Sequence, residues 1–189
     1  MSLRAAIGVI RRLSDSGVLP KYAVAGAVAA TFYLEPTSTF DLDILVPIGA
    51  LRSPGSTLLT LDRIRDALTE LGYTEFRNEG IIVEGWPVQF LPAERPLEIE
   101  ALDRAIEMDI ASDRPPATAR VLRAEYIMAI ALSVGRDKDR LRILQFIHEM
   151  AFDRFVLREI LERNDLRNKW LAFCRQTGIQ DRSIIELAP

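Results

Sequence analysis

The chain has one cysteine, Cys174, and one histidine, His148, in 189 residues. A single cysteine excludes an internal disulfide and fits a reducing compartment. A single histidine leaves a multi-histidine zinc site or a Ser-His-Asp triad little to build on. No apolar run reaches the roughly 18 residues that a membrane-spanning helix needs. The apolar stretch within residues 1–10 is too short for a signal peptide. Basic charge is not in excess either. Lys and Arg number 24 against 27 Asp and Glu, so a net charge of −3 sets up no global field for nucleic acid. A local basic groove remains compatible with the many arginines. What is present suits a soluble globular protein, at 49% hydrophobic and 27% charged residues. The length allows one domain, or one and a small second. The expectation is a soluble, cytoplasmic protein without a membrane partner.

Leu3, Ile7, Ile10 and Leu13 recur at helical spacing, and Gly17 marks the stop. Residues 22–25 are a short strand candidate. Gly26 permits a tight turn into an alanine-rich helix over 27–33, which Glu35-Pro36-Thr37-Ser38 breaks. A strand over 41–46 ends at Pro47 and Gly49, and 52–56 form a loop. Thr60 is expected to cap a helix over 61–71 that Gly72 ends. Residues 81–83 and 88–91 read as strands joined by the turn Glu84-Gly85-Trp86-Pro87. Residues 94–106 mix a loop and a short helix, and 108–111 read as a short strand. Arg114-Pro115-Pro116 is the clearest internal boundary. Helices are expected over 123–134, 138–150, 153–163 and 166–176, with stripes such as Leu141, Leu144, Ile147 and Phe155, Val156, Ile160. The pattern predicts an α+β or α/β head over 1–120 and a helical C-terminal region over 121–189.

Chemistry concentrates in Thr39-Phe40-Asp41-Leu42-Asp43-Ile44-Leu45-Val46. Alternate side chains of a strand share a face, so Asp41 and Asp43 point one way and Leu42, Ile44 and Val46 face the core. Two adjacent like charges repel unless a cation lies between them. Mg²⁺ suits such a pair, because it takes one or two carboxylates together with substrate phosphates. Solvated acids at a strand start are the plain alternative. Asp is depleted in strands, however, and Gly26 upstream favours a site.

Gly26-Ala27, a short helix, then Asp41-x-Asp43 on a strand resembles the nucleotidyltransferase superfamily of DNA polymerase beta, whose signature is Gly-Ser or Gly-Gly followed by Asp-x-Asp. The closer resemblance is to the AbiEii-type toxins of abortive-infection and toxin–antitoxin systems. It is carried by Tyr22-Ala23-Val24-Ala25-Gly26-Ala27 with Thr39 to Ile44, and by Arg123-Ala124-Glu125-Tyr126-Ile127-Met128-Ala129 with Gly135-Arg136-Asp137-Lys138-Asp139-Arg140. The resemblance implies a mixed β-sheet flanked by helices, with Mg²⁺ (or Mn²⁺) held by Asp41 and Asp43. It also implies an NTP whose phosphates lie at the turn of Gly26 and Ala27. Lys138 and Arg136 are then candidate phosphate ligands, and Asp139 helps orient Lys138. Three positions depart from the pattern. Ala27 stands where Ser or Gly is usual, Phe40 where a basic residue is frequent, and Gln89 aligns with the third catalytic carboxylate. An amide brings no negative charge and takes no proton from an attacking hydroxyl. Glu84, before the hairpin turn, is the substitute acid in reach if it folds inward.

Other polar residues read more plainly. His148, beside Ile147 on an apolar helix, is expected to be a structural, partly buried histidine. Cys174 is expected to pack as a small hydrophobe. Trp170, Leu171 and Phe173 look like core or a partner surface. Glu125 reads as a helix cap, a charge-pairing residue or a further site residue. Two functions stay open. One is transfer of a nucleoside monophosphate from a Mg–NTP to tRNA, a protein or a small molecule. The other is a degenerate relative that binds nucleotide or a partner protein without turnover. A toxin of this branch would have a separate antitoxin as partner.

Overall fold

The computed structural model of this chain describes residues 2–35, 39–51, 60–77, 80–110 and 117–181. Ser2 starts helix α1 (Leu3–Asp15) by accepting the Ala5 N–H at 3.2 Å, and the helix buries Ile7, Ile10 and Leu13 at the expected spacing. Strand β1 (Ala23–Val24) follows, then a one-turn helix α2 (Gly26–Ala30). The end of that helix near 34 is structured as a turn, and Pro36, Thr37 and Ser38 lie outside the described residues, as does the loop expected over 52–56. Strand β2 (Leu42–Pro47) buries Leu42, Ile44 and Val46 completely, as the alternation requires. A short 3₁₀ turn (Ile48–Leu51) and helix α3 (Asp62–Glu70) follow, the latter beginning where the Asp62 N–H donates to Thr60 Oγ1.

Strands β3 (Phe76–Arg77), β4 (Gly80–Val83) and β5 (Trp86–Ala93) form a meander. The β4–β5 turn is shorter than expected. It consists of Glu84 and Gly85 alone, with φ of 51° and 84°, the positive values a two-residue hairpin turn demands. Trp86 and Pro87 belong to β5. Val83 and Trp86 close the hairpin, so Pro87 opposite Ile82 occupies a non-hydrogen-bonded position towards β4. Pairing with β2 begins only at Val88, so the missing N–H disrupts neither ladder.

Helix α4 (Pro96–Asp103), strand β6 (Ile106–Asp109) and strand β7 (Thr118–Val121) complete the sheet, whose order is β3-β4-β5-β2-β1-β7-β6. The sheet is mixed: β2 runs parallel to β5 and β1 to β7, and the other neighbours are antiparallel. Neither β3 nor β7 was expected from the sequence. Both are short, and the four residues of β7 carry Arg120 and abut a helical pattern. Ala111 and the boundary Arg114-Pro115-Pro116 lie outside the described residues.

Four helices follow: α5 (Ala124–Val134), α6 (Asp137–Glu149), α7 (Arg154–Arg163) and α8 (Arg167–Thr177). Helix α5 is buried on nearly all sides, including Glu125, Tyr126, Ile127 and Met128. It packs against α2, α4, α6, α7 and α8. One hydrophobic cluster runs from α1 through the sheet to Phe173 and Cys174 of α8. Two expected stripes hold except at their first residues, since Leu144, Ile147 and Val156 pack against the core and Ile160 is buried. Helix α6 buries Asp139, Ile143 and Phe146, leaving Leu141 67% exposed, and α7 buries Leu157, Ile160 and Leu161, leaving Phe155 exposed under Arg154. His148 is exposed, contrary to the expectation, because it falls on the solvent side of α6.

Candidate active site

Three central elements and one helix end meet at the carboxylates. The Ala25 N–H donates to the Asp43 carbonyl at 2.9 Å, joining the end of β1 to β2. The chain then turns through Gly26 at φ +62° into α2. The space above Gly26 belongs to Asp43. A Cβ on residue 26 would stand 1.9 Å from Asp43 Oδ2 and 2.9 Å from its Cγ. Gly26 is thus required twice, by its backbone conformation and by the carboxylate packed on it.

Asp43 is partly buried, and its carboxyl lies above the usual range for an aspartate. Burial is the chief cause and the neighbouring Asp41 charge the second, while Lys138, Arg142 and Arg136 oppose them. Asp41 stands just before β2, where its Oδ1 accepts from Thr39 Oγ1 at 3.3 Å.

The cations come from the start of α6. Arg136 is its N-cap, and Asp139, 1% exposed, closes a capping box. Asp139 Oδ2 accepts from Arg136 Nε at 2.7 Å and from the Arg136 backbone N–H at 3.2 Å, and Oδ1 accepts from Arg136 Nη2 at 3.2 Å. Arg142 Nη1 lies 3.5 Å from Asp139 Oδ1. Asp139 therefore orients Arg136 and Arg142, whereas the sequence suggested Lys138. The Arg136 guanidinium is held still more firmly protonated by Asp139, with Asp43 and Asp41 adding to the effect.

Two clefts open at this point. One, of about 400 Å³, is lined by Gly26, Asp43, Arg95, Arg136, Asp139 and Arg142 over an apolar wall that includes Leu122, Ile127 and Ile130. The other, of about 410 Å³, is lined by Ala27, Phe40, Asp41, Lys138, Leu141 and Gln145. Arg142 lines both. The paired acids thus serve adjoining spaces, Asp43 the first and Asp41 the second.

The β2–β5 register sets Gln89 directly beside Asp43, although it lines neither cleft. Glu84 does not replace a third acid. It accepts from the Tyr73 hydroxyl at 2.5 Å in the hairpin turn, beyond Trp86 and so roughly 10 Å or more of strand from Gln89. Among the described residues no group of three His, Cys, Asp or Glu forms a metal cluster. Asp41 precedes β2 instead of sharing a strand face with Asp43, but the two charges act on each other, and two neighbouring carboxylates match the donor set that Mg²⁺ uses when phosphates complete its shell. Glu125 lies apart from the acids. Its Oε1 accepts the Asp153 N–H at 2.7 Å, and Arg123 Nε lies 3.6 Å from Oε2, so it pins the start of α7.

Sequence reasoning missed Arg142, Arg95 and the role of Phe40 as a cleft wall. Arg142 had a signal, since it follows Lys138 by one helical turn. Arg95 had none, because the loop and α4 bring it to the opposite wall, where Nη1 donates to Ser133 Oγ at 2.8 Å and Glu98 holds the guanidinium.

The architecture, a mixed seven-stranded sheet flanked by helices, is similar to that of a nucleotidyltransferase-like protein of known structure. The crystal structure of an antigenic nucleotidyltransferase-like protein from Paracoccidioides brasiliensis aligns over 98% of this chain and 97% of its own, with a TM-score of 0.62 and 14% identity. That likeness shows the fold alone. The antibiotic-resistance factor ANT(2″)-Ia aligns more distantly. Its solution structure covers 93% of this chain and 96% of its own at TM-score 0.47 and 15% identity. Its crystal structure with adenylyl-2″-tobramycin covers 94% and 99% at TM-score 0.48 and 12% identity. No protein-family model and no curated protein sequence matches the chain. No helix among the described residues is long and apolar enough to cross a membrane.

Proposed function

We propose that this chain is a nucleotidyltransferase that moves a nucleoside monophosphate from a Mg–NTP to a hydroxyl or phosphate acceptor. The observation that carries the reading is Asp43. It is a partly buried acid packed on Gly26, raised by its neighbour Asp41 and opposed by Arg136, Lys138 and Arg142. Three arginines stand in the same cleft, held by Glu98 and Asp139, and a carboxylate pair beside such oriented guanidinium groups suits a metal-bound polyphosphate.

Asp41 and Asp43 are the residues that would hold Mg²⁺ or Mn²⁺, which when bound offsets charge on the phosphates and helps orient the attacking hydroxyl. The rest falls to the chain. Arg136 and Arg142, fixed by Asp139, present guanidinium donors to phosphate oxygens. Gly26 and Ala27 carry the turn that keeps Asp43 in place, and Lys138 adds charge from the Asp41 side.

A specific observation favours a second reading, a non-catalytic nucleotide- or partner-binding protein. Gln89 is the register partner of Asp43, and among the described residues no third acid forms a metal-holding group with Asp41 and Asp43. Losing a general base typically costs about 10²–10⁴ in rate. The AbiEii-type branch, and with it a cytoplasmic toxin neutralised by an antitoxin, rests on segments 22–27, 39–44, 123–129 and 135–140. Growth arrest on expression, abolished by Asp41→Ala/Asp43→Ala, tests that branch. The acceptor, whether tRNA, protein or small molecule, is taken up below.

Isothermal titration with each NTP and Mg²⁺, alongside a pyrophosphate-release assay, tests the whole. Binding and release that both vanish in Asp41→Ala/Asp43→Ala support the transferase. Binding without release supports the second reading. Absence of binding overturns the transferase and leaves of the second reading only a partner-binding scaffold.

A further inference from the structure

We propose that the cleft on the Asp41 side is the acceptor site, and that the acceptor is a small hydroxylated compound carrying a planar ring and an anionic group. The inference rests on the transferase reading and specifies its second substrate.

A transferase needs two ligands side by side, and the two acids open into two adjoining clefts. The Asp43 cleft has the guanidinium-rich wall of Arg95, Arg136 and Arg142. The Asp41 cleft is chemically different. Phe40 is 79% exposed and Leu141 67% exposed, and both line this one cleft beside Asp41. A bare aromatic face accepts a ring by stacking. Lys138 lines the same cleft, near enough for its charge to act on Asp43 but with no carboxylate within 4 Å among the described residues, and so offers its ammonium to an anion. Asp41 lies beside them, where a hydroxyl of the bound compound is brought to the Asp43 side. The volume of about 410 Å³ falls within the usual range of small-molecule clefts, roughly 300–1,000 Å³.

Arg142 belongs to both clefts, and Asp139 fixes it. It stands where the transferred nucleotidyl group, through its α-phosphate, passes from one ligand to the other. In that step the acceptor hydroxyl oxygen bonds to the α-phosphorus and the bond from that phosphorus to the β-bridging oxygen breaks. Pyrophosphate leaves with the electron pair, and the hydroxyl proton goes to solvent water.

The test uses the whole protein, saturated with Mg²⁺ and a non-hydrolysable NTP analogue. It is titrated with adenosine 5′-monophosphate and with 4-hydroxybenzoate, then compared with Phe40→Ala and Leu141→Gln. Both positions are exposed, so the variants keep the fold. At least one probe is expected to bind, and to weaken tenfold or more in each variant, while the analogue binds within twofold of wild type. The proposal is overturned if neither probe binds, including the case in which a short single-stranded RNA binds instead. It is equally overturned if both variants bind the probes as wild type does. If the analogue itself does not bind, the transferase reading fails separately. The same probes and variants applied to the free protein then still decide whether this cleft takes the proposed ligand.

Discussion

Gly26 and Asp43 share one space: the carboxylate of the acid occupies the position of the side chain that the glycine lacks, 1.9 Å from where a Cβ would be. Residue 26 also sits at φ +62°, a conformation that costs a non-glycine residue about 1–3 kcal/mol. Gly26→Ala is therefore expected to destabilise the protein by about that amount and to push Asp43 out of the cleft. Chemical denaturation reads the first effect and Mg–NTP titration the second. An unchanged midpoint with unchanged binding would show that the turn rebuilds around a methyl group.

Asp43 carries a stability cost that the site requires. Its folded-state pKa is raised from an ordinary 3.8 by burial and by Asp41. The folded state consequently binds the Asp43 proton at higher pH than the unfolded state does. The contribution of this group is unfavourable above its folded pKa and is relieved as pH falls through that value towards 3.8. Glu98 and Glu100 behave oppositely. Both are lowered by arginine hydrogen bonds, so their contributions are lost as pH falls. The Asp43 share is isolated by comparison with Asp43→Asn. The variant is expected to be more stable than wild type at pH 7, on the scale of roughly 0.5–2 kcal/mol seen when a functional site is relieved. The difference should shrink with acidification, and Mg–NTP binding should be lost. A destabilised Asn variant would mean that the cations outweigh burial at this site.

Gln89 offers a test of the metal site that does not depend on catalysis. Gln89→Glu adds a third carboxylate beside Asp43 in the β2–β5 register. Without divalent cation, the added like charge is expected to lower stability by about 1 kcal/mol, and Mg²⁺ should restore it by binding the folded state. Thermal unfolding with and without Mg²⁺, for wild type and variant, gives the comparison. A variant midpoint insensitive to Mg²⁺ would show that a third carboxylate beside Asp43 completes no metal site, and a wild-type midpoint insensitive to Mg²⁺ with NTP would remove Asp41 and Asp43 as metal ligands.

The strand carrying Asp43 was legible because alternation is local. Leu42, Ile44 and Val46 are all fully buried. The capped helices were legible for the same reason. Two kinds of feature were not. Strands β3 and β7 are short and gain their order from partners distant in sequence, so their own residues carry little signal. Faces of helices were misjudged where the partner, not the pattern, decides. Leu141 looked like core and lines a cleft, while the buried position on α6 went to a charged residue, Asp139. Arg136 and Lys138 were named on the family resemblance and not on any local spacing, and Arg95 arrives from a loop and helix that no local motif connects to Asp41 and Asp43.

Asp139 is the residue on which the cationic wall depends, and two substitutions separate its roles. As a carboxylate it accepts the Arg136 N–H and pairs with the guanidinium groups of Arg136 and Arg142. Asp139→Ala removes all of these and leaves the start of α6 uncapped, for an expected loss of about 1–3 kcal/mol. Asp139→Asn keeps an acceptor for the Arg136 N–H and removes the charge. It should recover most of the stability. It should not recover nucleotide affinity, because Arg142 lies 3.5 Å from a carboxylate oxygen whose charge holds it between the clefts. Denaturant midpoints and Mg–NTP titrations on the two variants decide the matter. Equal affinity in wild type and Asp139→Asn would mean that Arg142 keeps its place without that charge.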